Sequence, residues 1–544
     1  MEAIIYGESH NVPKYENGIW KGPKKIFPER YYEYGEILLT TMRKNSTLIG
    51  QIDAITEKHD TFGDMIDRCI RCALWMKKQN IKPGDIIGIS TGNHLNSIIP
   101  VISSLLIGSV FNPWWDTDEE ELIRHFINFV QPKAIFTAET NVKLIQKVIN
   151  DDHIELKVIV FGKVEGLESF DDILAAQDDK EVANFECTKI KPDQPAMILY
   201  TSGTTGIPKG VVISYQSIAQ CQAFVPKEWM ENSTGMNFSS VAWVSGIINP
   251  LAAILSGSKL TVFYGISESE SFELISKYKV NWITMGTGVA NRMSRDPVFK
   301  KHDFSSVKYI SFGGARVRKN VLDFLEQTFS NAWVLHCYGS TEMGSTITLT
   351  ERVHHAESCG KVVPNVEIKV MSINKHENKV LGANEEGELY VKTPTIMLCY
   401  FKNPEATAAV LDADGWFCTG DLGYYNESGE FFISDRIREL IKYRLVHIPP
   451  APIENMIQNY PGVCEVAVVG KPDNDDVEQP MAFIVKTPGV NITEEEIIEF
   501  VDKNLPERFK LRGGVKFIDA FPRTPSQKIA KKILREMAAK MISN

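Results

Sequence analysis

Residues Tyr200 to Gly210 read YTSGTTGIPKG, a run of threonine, serine and glycine that closes on Lys209. Glycines let a backbone turn tightly and bring its N–H groups against a ligand, hydroxyls add donors, and a lysine supplies a point charge. Together these types suit an anion, and a phosphate above all. The common nucleotide loop is excluded, because it needs Gly-Lys followed by Ser or Thr, whereas Pro208 precedes Lys209 and Gly210 follows it. The plainer alternative is a Gly/Thr-rich turn between two strands, since AMILY before the run and GVVIS after it are both β-rich.

The surrounding elements decide what such a loop can do. From about Phe62 onward, helical patterns alternate with short β-rich runs: DIIGIS, GSVFNP, KAIFTA, KVIVFG, AMILYT, KLTVFYG, NWITMG and VKYISFGG. That alternation predicts βαβ units, with sheets covered by helices on both faces. After GELYVKTPT the pattern shifts to short strands, which predicts a β-rich subdomain. A boundary follows near SDRIRELIKY. Beyond it VCEVAVVGKP and MAFIVKTPG read as strands, and Thr493 with Glu496 makes a capping box for an amphipathic helix. The expected fold is therefore α/β: a large body over residues 1–435, followed by a small α+β domain over residues 436–544.

Composition narrows the class. A chain of 544 residues, 43% hydrophobic and 24% charged, is too long for one core and too apolar for extended disorder. A net charge of −10 argues against a nucleic-acid surface. The start, MEAIIYGESHNVPKYENG, lacks the basic-then-apolar order of a signal peptide. SIIPVISSLLIGSVFNPWW is broken by proline, serines and glycine, and reads as a buried helix and a strand rather than a membrane span. Nine scattered cysteines look like reduced thiols. Cys69 and Cys72 form C-x-x-C, but on the apolar side of a helical pattern and with no second pair to complete a metal site. The final Ile-Ser-Asn is not a peroxisomal tripeptide, which leaves the cytoplasm as the expected location.

Further segments sharpen the phosphate reading. SFGGARV gives a Gly-Gly turn after a strand, HCYGSTEMG gathers an aromatic, a hydroxyl and a carboxylate after another, and GWFCTGDLGYY sets Asp421 in a Gly-bounded turn. In this order, with SDRIRELIKY and RTPSQKIAKK after them, they resemble the adenylate-forming superfamily of acyl-CoA synthetases, 4-coumarate-CoA ligases and beetle luciferases, over about residues 30 to 540. The luciferase-like branch is suggested by GKVVPNVEIKV, GYY and KLRGGVKFID. The resemblance implies that a carboxylic acid attacks the α-phosphate of ATP to give an acyl-adenylate, and that coenzyme A then displaces AMP. It implies a magnesium ion to offset the charge of an anion approaching a polyanion.

Carried over residue by residue, Thr201, Ser202, Gly203, Thr204, Thr205, Gly206 and Lys209 would hold the β- and γ-phosphates. Gly313, Gly314, Ala315 and Arg316 would line the adenine and acyl sites, with Tyr338 stacked on the base. Thr341 would contact the α-phosphate, Glu342 would bind magnesium, and Asp421 and Arg436 would reach the ribose. Lys528 matches the adenylation lysine, and Lys442 matches the lysine that serves the second half-reaction from the opposite face of a small domain hinged at Asp435 to Arg438.

The chain departs from the family pattern in places. Leu445 stands where a glycine is usual beside the pantetheine tunnel, Pro452 replaces a glutamate, and Gln527 replaces the glycine before Lys528. In the acyl region Trp243 takes the position of a histidine and Ser245 that of an aromatic, Cys221 falls at an arginine position, and MGTG replaces Val-Pro-Thr. An apolar pocket walled by tryptophan suits a fatty or aryl acid. The leading expectation is an acid-thiol ligase. A luciferase that oxidises the adenylate of a non-beetle luciferin with oxygen is one alternative, and a nucleotide-binding protein without turnover is another.

Overall fold

The computed structural model describes residues 12–541 apart from 28–32, 116, 118, 202–207, 222–226, 316, 318, 353, 356, 375–376, 445 and 525–527. Ser202, Gly203, Thr204, Thr205, Gly206, Arg316, Leu445 and Gln527 thus lie outside the described residues.

All eight β-rich runs of the body form strands. An eight-stranded sheet runs from Cys399–Tyr400 through Lys209–Ser214, Pro195–Thr201, Val110–Trp114 and Ile86–Ser90 to Ala134–Thr137, Lys157–Val160 and Glu168–Ser169. It is parallel from Pro195–Thr201 outward and antiparallel only at the hairpin with Lys209–Ser214 and at its edge partner. The central strands are buried on both faces, so they are continuous apolar runs rather than alternating ones. A nine-stranded sheet holds Trp282–Gly286, Tyr309–Gly313 and Trp333–Gly339 side by side and parallel.

Helix Phe62–Lys78 opens on a capping box between Thr61 and Asp64, an arrangement worth about 1 kcal/mol. It buries Cys69 and Cys72 completely, which makes that pair core packing. Helix Val244–Ser256 carries Pro250 inside it and ends on Gly257 at φ +66.

A six-stranded antiparallel sheet contains Gly387–Lys392, Phe417–Tyr425 and Phe431–Arg436. It also recruits the N-terminal hairpin Lys14–Glu16/Ile19–Lys21, which turns on Asn17 and Gly18, both at positive φ, and pairs Trp20 with Ile368. After Arg436 a short 3-10 turn, Ile437–Glu439, leads into a fourth sheet built on the long hairpin Val463–Asp473/Val477–Lys486. That sheet has its own apolar cluster, including Ile453, Val466, Ile484, Ile497 and Val515. The Thr493/Glu496 capping box opens helix Glu494–Asn504 as expected. Among the described residues no helix is long and apolar enough to cross a membrane.

Candidate active site

The hairpin Pro195–Thr201/Lys209–Ser214 fixes the two ends of the Gly/Thr loop. Thr201 and Lys209 face each other across the ladder, while Ile198, Leu199, Val211 and Ile213 anchor the strands in the core. The Lys209 ammonium lies 4.7 Å from the ring centre of Tyr400, on the neighbouring edge strand. The Tyr400 hydroxyl in turn donates to Glu342 Oε1 at 3.0 Å. Burial, and then the Glu342 carboxylate, push the Tyr400 phenol up, so it stays a donor at neutral pH. The base of the loop is thereby wired to Glu342. The Glu342 backbone is fixed by Met397 N–H on its carbonyl at 2.8 Å.

A second cluster centres on Asp421, which is 3% exposed. Its strand pairs it with Arg436, and Arg436 Nε reaches Asp421 Oδ1 at 2.6 Å. The other oxygen accepts from the Tyr338 hydroxyl at 2.6 Å. Burial, then the Asp421 charge, hold the Tyr338 phenol far above its ordinary range. Both carboxylate oxygens are oriented, and each retains lone-pair capacity for a hydroxyl donor.

The turn after Tyr309–Gly313 has strict geometry. A Cβ on Gly313 would meet the Cys337 carbonyl at 2.4 Å, and Gly314 sits at φ +88, so both positions require glycine. Thr287 Oγ1 donates to the carbonyls of Gly313 and Ala315 at 3.1 and 2.9 Å, holding the turn open. Thr341 is half-buried in the turn closed by Gly344 N–H on its carbonyl, and Ser340 Oγ is buried with no partner among the described residues. Cys221 packs behind this turn, with its thiol on the Gly344 carbonyl at 3.2 Å.

Lys528 completes the cleft. Its carbonyl accepts from Thr524 N–H at 2.8 Å, and its own N–H donates to Thr524 Oγ1 at 3.2 Å. It remains accessible to solvent, yet crowding lowers the ammonium below its ordinary value. Arg436 and Arg438 act in the same direction, against the opposing pull of Asp421 and Glu342. Asp421 and Arg436 are in contact, and their charges and that of Glu342 all act on Lys528. Lys442 is exposed on the hairpin Ile441–Tyr443/Val446–Ile448, its backbone N–H bonded to Glu478 Oε2 at 2.7 Å.

On the acyl side, Trp243 caps helix Val244–Ser256 and stacks flat on Trp115, with ring centres 5.7 Å apart at 3°. Ser245 Oγ donates to Ser239 Oγ at 2.7 Å. A cavity of about 40 Å³ lies on the Gly246–Pro250–Ala253 face of the same helix, beside Asn93 and His94. It has room for one or two waters and is far too small for an acid.

The model of the AMP-binding enzyme family matches residues 48–401, and that of the AMP-binding enzyme C-terminal domain matches residues 452–528. The chain belongs to the AMP-binding enzyme family. This AMP-binding enzyme is 29% identical to a luciferin 4-monooxygenase of Photuris pensylvanica, over 96% of its own length and 99% of the relative's. It is 28% identical to a probable 4-coumarate–CoA ligase of Dictyostelium discoideum, over 98% and 99%. Among solved structures, the luciferase-like enzyme from the nonluminescent mealworm Zophobas morio superposes with a TM-score of 0.71 at 27% identity, covering 78% of this chain and 100% of that one. An anthranilate CoA ligase in complex with anthranoyl-AMP gives 0.85 at 18%, covering 94% and 98%. The fold is thus that of adenylate-forming, acyl-CoA ligase-like enzymes.

Two side chains of the cleft escaped the sequence reading: Tyr400, which links Lys209 to Glu342, and Trp115, which stacks on Trp243. Their only local signal is an aromatic at the end of a β-rich run. The lowered Lys528 ammonium yields a pH prediction. A lysine is charged below its pKa, so lowering that value brings the loss of charge to lower pH. Acid-dependent exchange of pyrophosphate into ATP, at subsaturating substrates, should lose activity on the alkaline side below the ordinary lysine value of 10.5. Lys528→Arg should move that limb upward, because a guanidinium keeps its proton throughout the range.

Proposed function

We propose that this AMP-binding enzyme is an ATP- and magnesium-dependent acid-thiol ligase acting on a fatty or aryl carboxylic acid. The observation that carries this reading is the link from the Thr201/Lys209 hairpin through Tyr400 to Glu342, with Asp421 and Arg436 paired at 2.6 Å and the charges of all three groups felt by Lys528. A carboxylate oxygen of the acid attacks the α-phosphorus, and the bond to the β-phosphate oxygen breaks and releases pyrophosphate. The thiolate of coenzyme A then attacks the acyl carbon, and AMP leaves.

In this reading Thr201, Lys209 and the loop between them hold the leaving phosphates, and Thr341 and Lys528 meet charge at the α-phosphate. Asp421 and Arg436 take the ribose, and Gly313, Gly314, Ala315 and Arg316 form the wall between adenine and acyl group, with Tyr338 against the base. Trp243 and Ser245 border the acid. Among the described residues no group of three or more His, Cys, Asp or Glu could hold a metal by itself. A single carboxylate at Glu342 fits magnesium that arrives on ATP, since that ion takes one or two carboxylates with substrate phosphates. Bound there, the ion would offset negative charge on the phosphates.

Residues 436–544 would turn about Asp435 to Arg438, so that Lys442 replaces Lys528 at the cleft for the thiol step. Lys442→Ala should then slow the reaction of preformed acyl-adenylate with coenzyme A about tenfold or more, and leave pyrophosphate exchange unchanged. The nine cysteines are free, as in a reducing cytoplasm.

A second reading is oxidation of an adenylate by oxygen with emission of light, favoured by the identity to luciferin 4-monooxygenases. One experiment separates the two. Fatty and aryl acids are offered with ATP and magnesium, with and without coenzyme A, and pyrophosphate, thioester and light are recorded. Acid-dependent pyrophosphate with thioester supports the ligase. Pyrophosphate and light without thioester would replace it by the luciferase. No pyrophosphate with any acid would overturn both.

A further inference from the structure

We propose that Arg295, Glu465 and Arg523 form a clasp that seats Lys528 at the cleft for the adenylation half-reaction and is released for the thiol step; this rests on the ligase reading above. Arg295 follows helix Thr287–Met293, on the sheet that carries the Gly313–Gly314 turn. Its Nη2 donates to the Cys464 carbonyl at 2.9 Å, its Nη1 to Cys464 Sγ at 3.4 Å, and Nη1 stands 3.7 Å from Glu465 Oε1. Cys464 and Glu465 belong to the long hairpin of the fourth sheet. Glu465 also accepts from Arg523 Nη2 on both oxygens, at 2.9 and 2.7 Å. Arg523 forms a β-bridge with Ile529, and their neighbours Thr524 and Lys528 are joined by two hydrogen bonds, Thr524 N–H to the Lys528 carbonyl and Lys528 N–H to Thr524 Oγ1. One carboxylate thus joins the body, through Arg295, to the Arg523–Ile529 bridge beside Lys528.

The two halves of the clasp differ. The Glu465–Arg523 pair lies within the fourth-sheet unit and survives any rigid rotation of it. The Arg295 contacts cross between units, and a rotation that brings Lys442 inward breaks them. The three side chains are 24% to 38% exposed, so the ion pairs add little to folding. Their effect lies in placement, where a displacement of about 1 Å can cost a hundredfold in rate. Arg295, Glu465 and Arg523 are positioning residues that act through Lys528.

The test compares half-reactions, using dodecanoate or 4-coumarate, whichever the acid panel selects. Arg295→Ala and Glu465→Gln should each lower pyrophosphate exchange about tenfold to a hundredfold. The reaction of preformed acyl-adenylate with coenzyme A should stay unchanged, and Arg295→Lys should restore part of the exchange. Equal loss in both half-reactions, or no loss in either, overturns the clasp. The contact itself is read without any substrate. In Arg295→Lys, a carbodiimide should join position 295 to Glu465, seen as one cross-linked peptide pair by mass spectrometry. If no such pair forms, the clasp fails whatever the enzyme activates. If it forms while the wild type shows no acid-dependent exchange, the ligase reading fails and the contact stands.

Discussion

Lys528→Ala should lower acid-dependent pyrophosphate exchange by about 10²–10³-fold, while preformed acyl-adenylate still reacts with coenzyme A at the wild-type rate. The size follows from position. As the acid's oxygen closes on the α-phosphorus, negative charge gathers on groups flanked by Asp421 and Glu342, both of which repel it. Arg436 is committed to Asp421 at 2.6 Å, and Lys209 lies over Tyr400. Lys528 adds a cation to this group, and burial, then Arg436, lower its ammonium, so an arriving anion favours the charged form. A donor aimed at developing charge and not at the ground state is worth about 2.7–4 kcal/mol. Lys528→Arg keeps the charge but not the compact shape, and should fall between alanine and wild type. Survival of exchange in Lys528→Ala would remove the role given to this residue.

The limits of the sequence follow from how local each signal is. The body's strands are written in consecutive residues, and the apolar runs AMILYT and KAIFTA became buried strands. The Asn17–Gly18 turn is equally local, but nothing near it says that Trp20 will pair with Ile368. The same distinction holds in the cleft. YTSGTTGIPKG, the Gly-Gly turn and the Asp421 turn declare their chemistry by residue type, because glycine and hydroxyl clusters have few structural uses. Tyr400 declares nothing: its part arises because the Cys399–Tyr400 strand pairs beside Lys209–Ser214 and points a phenol at Glu342. Trp243 stood out as an unusual type, whereas its flat stack on Trp115 depends on two segments that meet only in the fold. Arg295 and Glu465 look like ordinary surface charges in sequence, and gain a use only from the arrangement of two units.

Asp421→Ala should have the other large effect, raising the KM for ATP and lowering stability together, and the two can be separated. The carboxylate is buried between the Tyr338 hydroxyl and the Arg436 guanidinium. Alanine strands both donors, a loss of about 1–3 kcal/mol, kept to that range because Arg436 is itself partly open to solvent. Asp421→Asn is the sharper variant. Its amide oxygen can still accept from Arg436, but the guanidinium accepts nothing, so the amide nitrogen must turn to Tyr338 and force that hydroxyl to act as acceptor. Shape and one hydrogen bond survive while the charge is lost, so stability should fall in the order wild type, Asn, Ala. A binding role is read from the gain in thermal stability on adding ATP, which scales with the logarithm of concentration over Kd. If Asp421 accepts the ribose hydroxyls, that gain shrinks in both variants, more in Ala than in Asn. If the gain is unchanged in variants that are less stable without nucleotide, the carboxylate serves only to hold Tyr338 and Arg436, and the ribose must be held elsewhere.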